Sequence, residues 1–207
     1  MNIAAIVKPK DKLRVLVGCE ESQVVTKAFR AKGHEAYSCD LKPCSGGHPE
    51  WHIQDDVRRH LNNEWDIGIF HPACTRLANS GVMWLKKRDL WKEMEAACQF
   101  FNEFINAPIS KICVENPIPH KYAVENIGKY SQIIQPWMFG HTERKATCLW
   151  LKNLDLLRPT NNVKEEMLRL PKREQQRIHY LPPSKDRAEL RSKTFPGIAN
   201  AMALTWG

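Results

Sequence analysis

The 207-residue sequence predicts a single α/β domain built on a doubly wound, mostly parallel β-sheet. Three observations favour this class. Short apolar runs rich in β-branched residues alternate with segments of helical periodicity, as in strand–helix–strand units. The length suits one buried core, since domains typically contain about 100–200 residues. The composition, 43% hydrophobic and 26% charged, is that of a globular protein and excludes a disordered or fibrous chain.

The first half of the chain predicts three strands and a helix. The strands cover residues 13–17, 34–40 and 65–70, and the helix covers residues 22–31. The first strand enters Gly18, the second ends at Asp40, and the third runs into a loop that contains Cys74. Loops at the carboxyl ends of parallel strands carry ligand sites in doubly wound sheets. We therefore expect Gly18, Asp40 and Cys74 to lie at one edge of the sheet.

The second half continues the alternation. The predicted elements are an amphipathic helix at residues 90–105 and strands at residues 111–114, 131–135 and 146–151. The strand at 111–114 delivers Glu115 and Asn116 to its carboxyl end. Residues 155–195 are polar and rich in Lys and Arg, and they predict a basic irregular segment within the single domain 1–207.

Charge and cysteine content narrow the class of protein. A formal net charge of +8 favours a polyanionic partner such as nucleic acid, although a solvated basic face is an equally simple reading. Seven scattered cysteines indicate free thiols in a reducing compartment. The sequence has no apolar leader and no run of about 18 apolar residues, so we expect a cytoplasmic protein that does not span a membrane.

Three motifs carry chemistry, and each has a simpler structural reading. The turn at Gly18 followed by Asp40 fits a nucleotide-binding strand end, or an ordinary turn with a surface carboxylate. Cys74, in a loop after a strand, fits a nucleophile with a lowered pKa at a helix start, or a packed structural cysteine. Glu115 fits an acid that faces the same crevice as Cys74, or a turn cap.

The order of these motifs resembles the DNA cytosine carbon-5 methyltransferases, in the small form found in phages and prophages. VLVGCEESQ is similar to the cofactor loop, Pro72 and Cys74 to the Pro-Cys loop, and Glu115-Asn116 to the Glu-Asn pair. HTERKAT is similar to the basic motif, and Ile198-Ala199-Asn200 to the closing Gly-Asn motif. The resemblance implies a Rossmann-like sheet of the S-adenosylmethionine-dependent methyltransferase type, with S-adenosyl-L-methionine as cofactor and cytosine in DNA as substrate.

The resemblance also implies roles for individual residues. Cys74 would add to the base, Glu115 would stabilise the charge on its ring, and Arg144 would hold a base oxygen or a phosphate. Cofactor-binding roles are implied for Gly18, Cys19, Glu20, Asp40, Asp56, Pro72 and Asn200.

DNA would be bound through its phosphates, with little room for base-specific readout in so short a recognition segment. The residues expected to contact phosphates are Lys145, Lys172, Arg173, Arg177, Lys185, Arg187 and Arg191. A base inside a duplex must be flipped out or already single-stranded to reach such a pocket. The alternative for this segment is a solvated loop.

Two rival functions and one further motif stay open. The same fold would also suit RNA or a free pyrimidine nucleotide as acceptor, or a catalytically degenerate protein that only binds nucleic acid. Four soft ligands, Cys39, Cys44, His48 and His52, stand close together in the sequence, but their spacing matches no compact zinc site. We therefore assign no metal.

Overall fold

The structure is a computed structural model that describes residues 12–207. Residues 1–11, the start of the predicted domain 1–207, lie outside the described residues. The strands are β1 (Arg14–Gly18), β2 (Glu35–Asp40), β3 (His52–Gln54), β4 (Ile67–Phe70), β5 (Lys111–Pro117), β6 (Gln132–Ile134) and β7 (Thr147–Lys152). The helices are α1 (Val24–Ala31), α2 (Val82–Lys87), α3 (Trp91–Ile105), α4 (Lys121–Ile127), α5 (Lys164–Arg169), α6 (Lys172–Gln175), α7 (Arg187–Ser192) and α8 (Pro196–Trp206).

The strands form one seven-stranded sheet in the order β3-β2-β1-β4-β5-β7-β6. The five strands from β3 to β5 run parallel, whereas β7 lies between β5 and β6 and is antiparallel to both. The sheet is mostly parallel and doubly wound, so the predicted Rossmann-like α/β class is confirmed. The strand order reverses between β1 and β4, and such a switch point opens a crevice at the carboxyl ends of the strands.

Helices cover both faces of the sheet and create two apolar layers. On one face α1 packs against α8, and Val25 and Phe29 of α1 share a buried cluster with Ile198 and Met202 of α8. On the other face α3 packs against α4, β5 and β7, and Phe101 and Phe104 of α3 are fully buried there. The central strands are apolar on both sides, as strands buried between two helix layers must be.

The predicted strands and the two predicted helices are all present, with ends displaced by at most three residues. The predicted strand at 111–114 continues to Pro117 because it pairs with β7 over its full length, which takes Glu115 and Asn116 into the sheet. The prediction of an irregular segment at 155–195 is partly wrong, since α5, α6 and α7 lie within it. These helices have four to six residues each, too short for hydrophobic periodicity to indicate them.

The seven cysteines are all free thiols, in agreement with the prediction from their number and spacing. Among residues 12–207, no helix is long and apolar enough to cross a membrane.

Candidate active site

The turn after β1 forms one wall of the crevice. The Cys19 amide donates to the carbonyl of Cys39 at 2.7 Å, and the His71 amide donates to the carbonyl of Gly18 at 3.0 Å. Cys19 has a φ of 59°, a left-handed conformation that turns the chain sharply away from the sheet. These bonds fix the ends of three neighbouring strands, β2, β1 and β4, relative to one another.

Gly18 is required here by packing. A Cβ atom at this position would lie 2.6 Å from a ring carbon of Phe70 and 2.7 Å from a methyl of Val57. Real Cβ atoms do not approach other atoms so closely, so the predicted cofactor-loop glycine has a structural reason to be glycine that is independent of any ligand.

The Glu20 carboxylate serves the start of α1. It is buried and accepts hydrogen bonds from the Val25 amide at 2.7 Å, the Thr26 amide at 3.3 Å and the Thr26 hydroxyl at 2.8 Å. Helix starts leave amide groups without partners, and this side chain supplies the missing acceptor. Glu20, a predicted cofactor-binding residue, thus has its carboxylate engaged by the protein itself.

Two further predicted residues, Asp40 and Asp56, converge on the β1–α1 turn. Burial and then the charges of Asp40, Cys39 and Asp56 raise the pKa of the Cys19 thiol to about 12, so both carboxylates lie near this turn. Asp40 accepts from the Lys42 amide at 2.9 Å. Asp56 accepts from the Arg58 guanidinium, which lowers its pKa to about 2.

Cys74 lies in the loop after β4, where its carbonyl accepts from the amides of Leu77 and Ala78 at 3.0 and 2.9 Å. Its side chain is half-buried. Burial and then the charge of Glu115 raise the pKa of the Cys74 thiol, while Lys145 and Arg191 act in the opposite direction. The shift is opposite to the lowered pKa considered for a nucleophile at a helix start, because burial and a carboxylate outweigh the cations.

Glu115 points into the same crevice from β5 and pairs with His71. His71 Nδ1 lies 2.8 Å from Glu115 Oε2, and the two side chains are only 11% and 12% exposed. Burial disfavours the charged form of both side chains, but the interaction between them outweighs burial. The hydrogen bond and charge of Glu115 raise the pKa of His71, and His71 and Lys145 lower the pKa of Glu115. The hydrogen bond between these two buried side chains thus favours the charged form of each.

Asn116 fixes the loop that carries Cys74. Its side-chain amide donates to the Pro72 carbonyl at 2.8 Å, and Asn116 is 1% exposed. Pro72, a predicted cofactor-binding residue, is itself buried and makes this contact through its backbone. The Glu-Asn pair of β5 therefore reaches the β4 loop twice, once through each side chain.

The basic motif contributes Lys145 to this site. The Lys145 ammonium donates to the Lys193 carbonyl at 3.2 Å and lowers the pKa of both Glu115 and Cys74. Arg144, the predicted catalytic residue, instead contacts the Met167 sulfur of α5 at 3.4 Å. Neighbouring side chains on an extended segment point to opposite sides, so only one of the two basic residues can face Glu115.

Asn200, another predicted cofactor-binding residue, is exposed on α8. The buried residues of that helix include Ile198, Ala199 and Met202. Ile198 and Met202 line a small cavity beside Glu115 and Lys145. The helix thus faces the site with apolar side chains and turns Asn200 to solvent.

The predicted phosphate-binding residues of the 155–195 segment divide into two sets. Lys172, Arg173, Arg177 and Lys185 are exposed, with Arg177 paired to Glu143 at 2.7 Å. Arg187 and Arg191 are half-buried at the two ends of α7. Arg191 is the one of these two whose positive charge lowers the pKa of Cys74.

The four residues considered for zinc are engaged elsewhere or apart. His48 stacks on Trp51 and bonds to Glu50, His52 bonds to Ser38, and the Cys39 thiol donates to the Asp55 carbonyl. No group of three or more His, Cys, Asp or Glu residues in the described part of the chain is placed to hold a metal ion.

His71 is the site residue that sequence reasoning missed. A signal was available, because His71 is the first residue after a buried strand and stands in the same loop as Cys74. Lys145 was placed among the phosphate contacts, and only the tertiary structure turns it towards Glu115.

No protein-family model matches this chain, and no curated protein matches it. One solved structure to which the chain is similar is described as a candidate DNA modification methyltransferase encoded within an E. coli prophage. The similarity has a TM-score of 0.44 and 15% sequence identity, and it covers 77% of this chain. It covers 56% of that protein, so the chain spans little more than half of its length.

Proposed function

We propose that the protein transfers a methyl group from S-adenosylmethionine to carbon 5 of cytosine in DNA, through a covalent adduct with Cys74. The observation that carries this proposal is the convergence of Cys74 and Glu115 at the carboxyl ends of the adjacent strands β4 and β5. Their electrostatic coupling, with Lys145 acting on both, supports one site for all three side chains. Such a site lies beside the switch point, where ligands of doubly wound sheets bind.

The acidic side of the crevice fits the cofactor. Asp40 and Asp56 lie beside the β1–α1 turn, and carboxylates at this place suit ribose hydroxyls, an adenine amine and a positively charged sulfur. Asp40 and the backbone around Cys19 would hold the ribose, and Asp56 would lie near the adenine. When bound, the cofactor supplies an electrophilic methyl group on a sulfonium.

Cytosine carbon 5 is too weak a nucleophile to take that methyl group unaided, and Cys74 would correct this. The thiol first loses its proton to water, and the thiolate sulfur then bonds to carbon 6. The electron pair of the C5=C6 bond moves into the ring, nitrogen 3 takes up a proton, and carbon 5 becomes nucleophilic. After methylation the carbon 5 proton leaves to water, the S–C6 bond breaks, and the thiolate returns.

Glu115 and Lys145 would stabilise the charges that develop during these reaction steps. Glu115 faces ring nitrogen 3 and the exocyclic amine, and gives nitrogen 3 its proton as the S–C6 bond forms. Lys145 lowers the pKa of Cys74, which favours the thiolate. Acid–base assistance of this kind contributes about 10²–10⁴-fold to a rate.

The acceptor would reach the site as an extruded or single-stranded base. Cys74 and Glu115 are half-buried, and a base stacked inside a duplex cannot reach side chains in such a pocket. The exposed cations Lys172, Arg173 and Lys185 would contact phosphates beside the entrance. A DNA affinity that does not change with salt would contradict this part of the proposal.

The test is transfer of labelled methyl from S-adenosylmethionine, with product nucleosides identified by mass spectrometry. The acceptors are duplex DNA, single-stranded DNA, RNA and deoxycytidine monophosphate. We compare wild type with Cys74→Ser and with the control Cys44→Ser, a half-buried cysteine outside the crevice.

We expect 5-methylcytosine in DNA from wild type and Cys44→Ser, and none from Cys74→Ser. Product in RNA or the free nucleotide alone would change the acceptor and keep the mechanism. Cofactor binding without any product, or activity in Cys74→Ser, would contradict the proposal.

A further inference from the structure

His71 is a buried titratable side chain that the mechanism above does not use. It follows β4 directly, and its amide is tied to the Gly18 carbonyl at 3.0 Å. Its Nδ1 is 2.8 Å from Glu115 Oε2, while its Nε2 is buried and has no hydrogen-bond partner among the described residues. Burying an imidazole with one nitrogen unpaired costs stability, so its retention needs an explanation.

The charges that face His71 define what it can do. Glu115 approaches it from β5, Glu20 from the β1–α1 turn, and Lys145 from the segment before β7. Two carboxylates against one ammonium favour the imidazolium, although burial opposes it. The hydrogen bond and charge of His71 in turn lower the pKa of Glu115, which favours its carboxylate form.

A carboxylate is the wrong protonation state for the proposed chemistry. Cytosine nitrogen 3 is a hydrogen-bond acceptor, so Glu115 must carry a proton when it faces the base. His71 Nδ1 lies 2.8 Å from Glu115 Oε2, within hydrogen-bond distance, and is a group that can carry this proton. Resting on the proposed function, we infer that His71 is a positioning residue that stores this proton and delivers it to Glu115 when cytosine enters the site.

The proton balance closes over one turnover. The Nδ1 proton moves to the Glu115 carboxylate and leaves a neutral imidazole. Glu115 passes the proton to nitrogen 3 as the thiolate of Cys74 bonds to carbon 6. When the S–C6 bond breaks, nitrogen 3 returns the proton through Glu115 to His71, and no external acid is consumed.

The same proton transfer from His71 to Glu115 would also favour ionisation of the Cys74 thiol. The charge of Glu115 raises the pKa of Cys74, so neutralising Glu115 favours the Cys74 thiolate. One proton movement would therefore prepare both partners of the first step, and only when a base is present to accept the hydrogen bond. An active thiolate would not persist in the empty site.

Two variants separate storage of a proton from orientation of Glu115. His71→Asn keeps an amide donor near the Nδ1 position but has no proton to give, whereas His71→Ala removes both. We measure the rate of covalent adduct formation with DNA that contains 5-fluorocytosine, from pH 6 to pH 9, together with cofactor affinity by calorimetry and stability by urea unfolding.

We expect both variants to lose adduct formation by about 100-fold or more, as for loss of a general acid–base group. The alkaline limb of the pH profile should move to lower pH, because Glu115 alone releases its proton before an imidazolium does. Cofactor affinity should stay within twofold. A His71→Asn rate equal to wild type would leave only an orienting role, and an unchanged alkaline limb would leave only a structural one; either result overturns the inference.

A second readout does not depend on activity. Nuclear magnetic resonance titration of His71 should place its pKa above that of an ordinary histidine in wild type, and about one unit or more lower in Glu115→Gln. Equal values in the two proteins would overturn the inference. Absence of 5-methylcytosine from wild type would instead overturn the proposed function, which the acceptor experiment detects separately.

Discussion

The role of Glu20 can be tested through the stability of the protein. Its carboxylate supplies the acceptor for three buried donors at the start of α1. A buried donor left without an acceptor costs about 1–3 kcal/mol. Glu20→Ala leaves all three donors without an acceptor, so we expect the free energy of unfolding to fall by about 3 kcal/mol or more.

Glu20→Gln should be milder. The amide keeps one oxygen for the Val25 amide, and the Thr26 hydroxyl can reverse to accept from the new NH₂ group. Only the Thr26 amide then loses its acceptor, and a loss of about 1–2 kcal/mol is expected. Glu125→Ala, on the exposed face of α4, is the matched control and should stay within about 0.5 kcal/mol.

The assay is urea unfolding followed by far-ultraviolet circular dichroism. With a slope of about 1–3 kcal/mol per molar urea, Glu20→Ala should lower the midpoint by about 1 M or more. A loss below about 1 kcal/mol in Glu20→Ala would refute the capping role. Unchanged stability in Glu20→Gln with a large loss of cofactor affinity would assign the carboxylate to the ligand instead.

Three further predictions concern other parts of the structure. Asn116→Ala leaves the Pro72 carbonyl without its buried donor, and thermal unfolding should show a stability loss of about 1–3 kcal/mol. Arg58 lowers the folded-state pKa of Asp56 to about 2, so the contribution of the Asp56–Arg58 pair to the free energy of unfolding is complete above pH 4 and is lost as pH falls towards 2. Asp56→Asn should therefore flatten the dependence of stability on pH between pH 2 and pH 4. Gly197→Ala would place a Cβ 1.9 Å from a backbone oxygen, so we expect a large drop in midpoint temperature or no folded protein on expression.

The sequence predicts the fold well because its strands are buried on both faces and its long helix is amphipathic. Strand direction is different: the residues of β7 read like those of a parallel strand, and only pairing with β5 reveals that it is reversed. The short helices of the 155–195 segment and the edge strand β3 carry too few residues for periodicity to detect.

The site was predictable where it depends on strand ends and not where it depends on side-chain direction. Cys74 and Glu115 follow from the rule that neighbouring strand ends share a crevice. The choice of Lys145 over Arg144 depends on which side of an extended segment faces the sheet, and a shift of one residue reverses it. The raised pKa of Cys74 depends on burial, which its sequence neighbours do not report.

The packing of α1 against α8 has a consequence for biosynthesis. The two helices are about 165 positions apart in the chain, yet each covers apolar residues of the other. At about 5–20 residues per second, a ribosome needs roughly 10–30 s to make the intervening chain. During that interval β1 and β2 can already pack against α1, whereas the part of its apolar surface that α8 buries stays exposed to water.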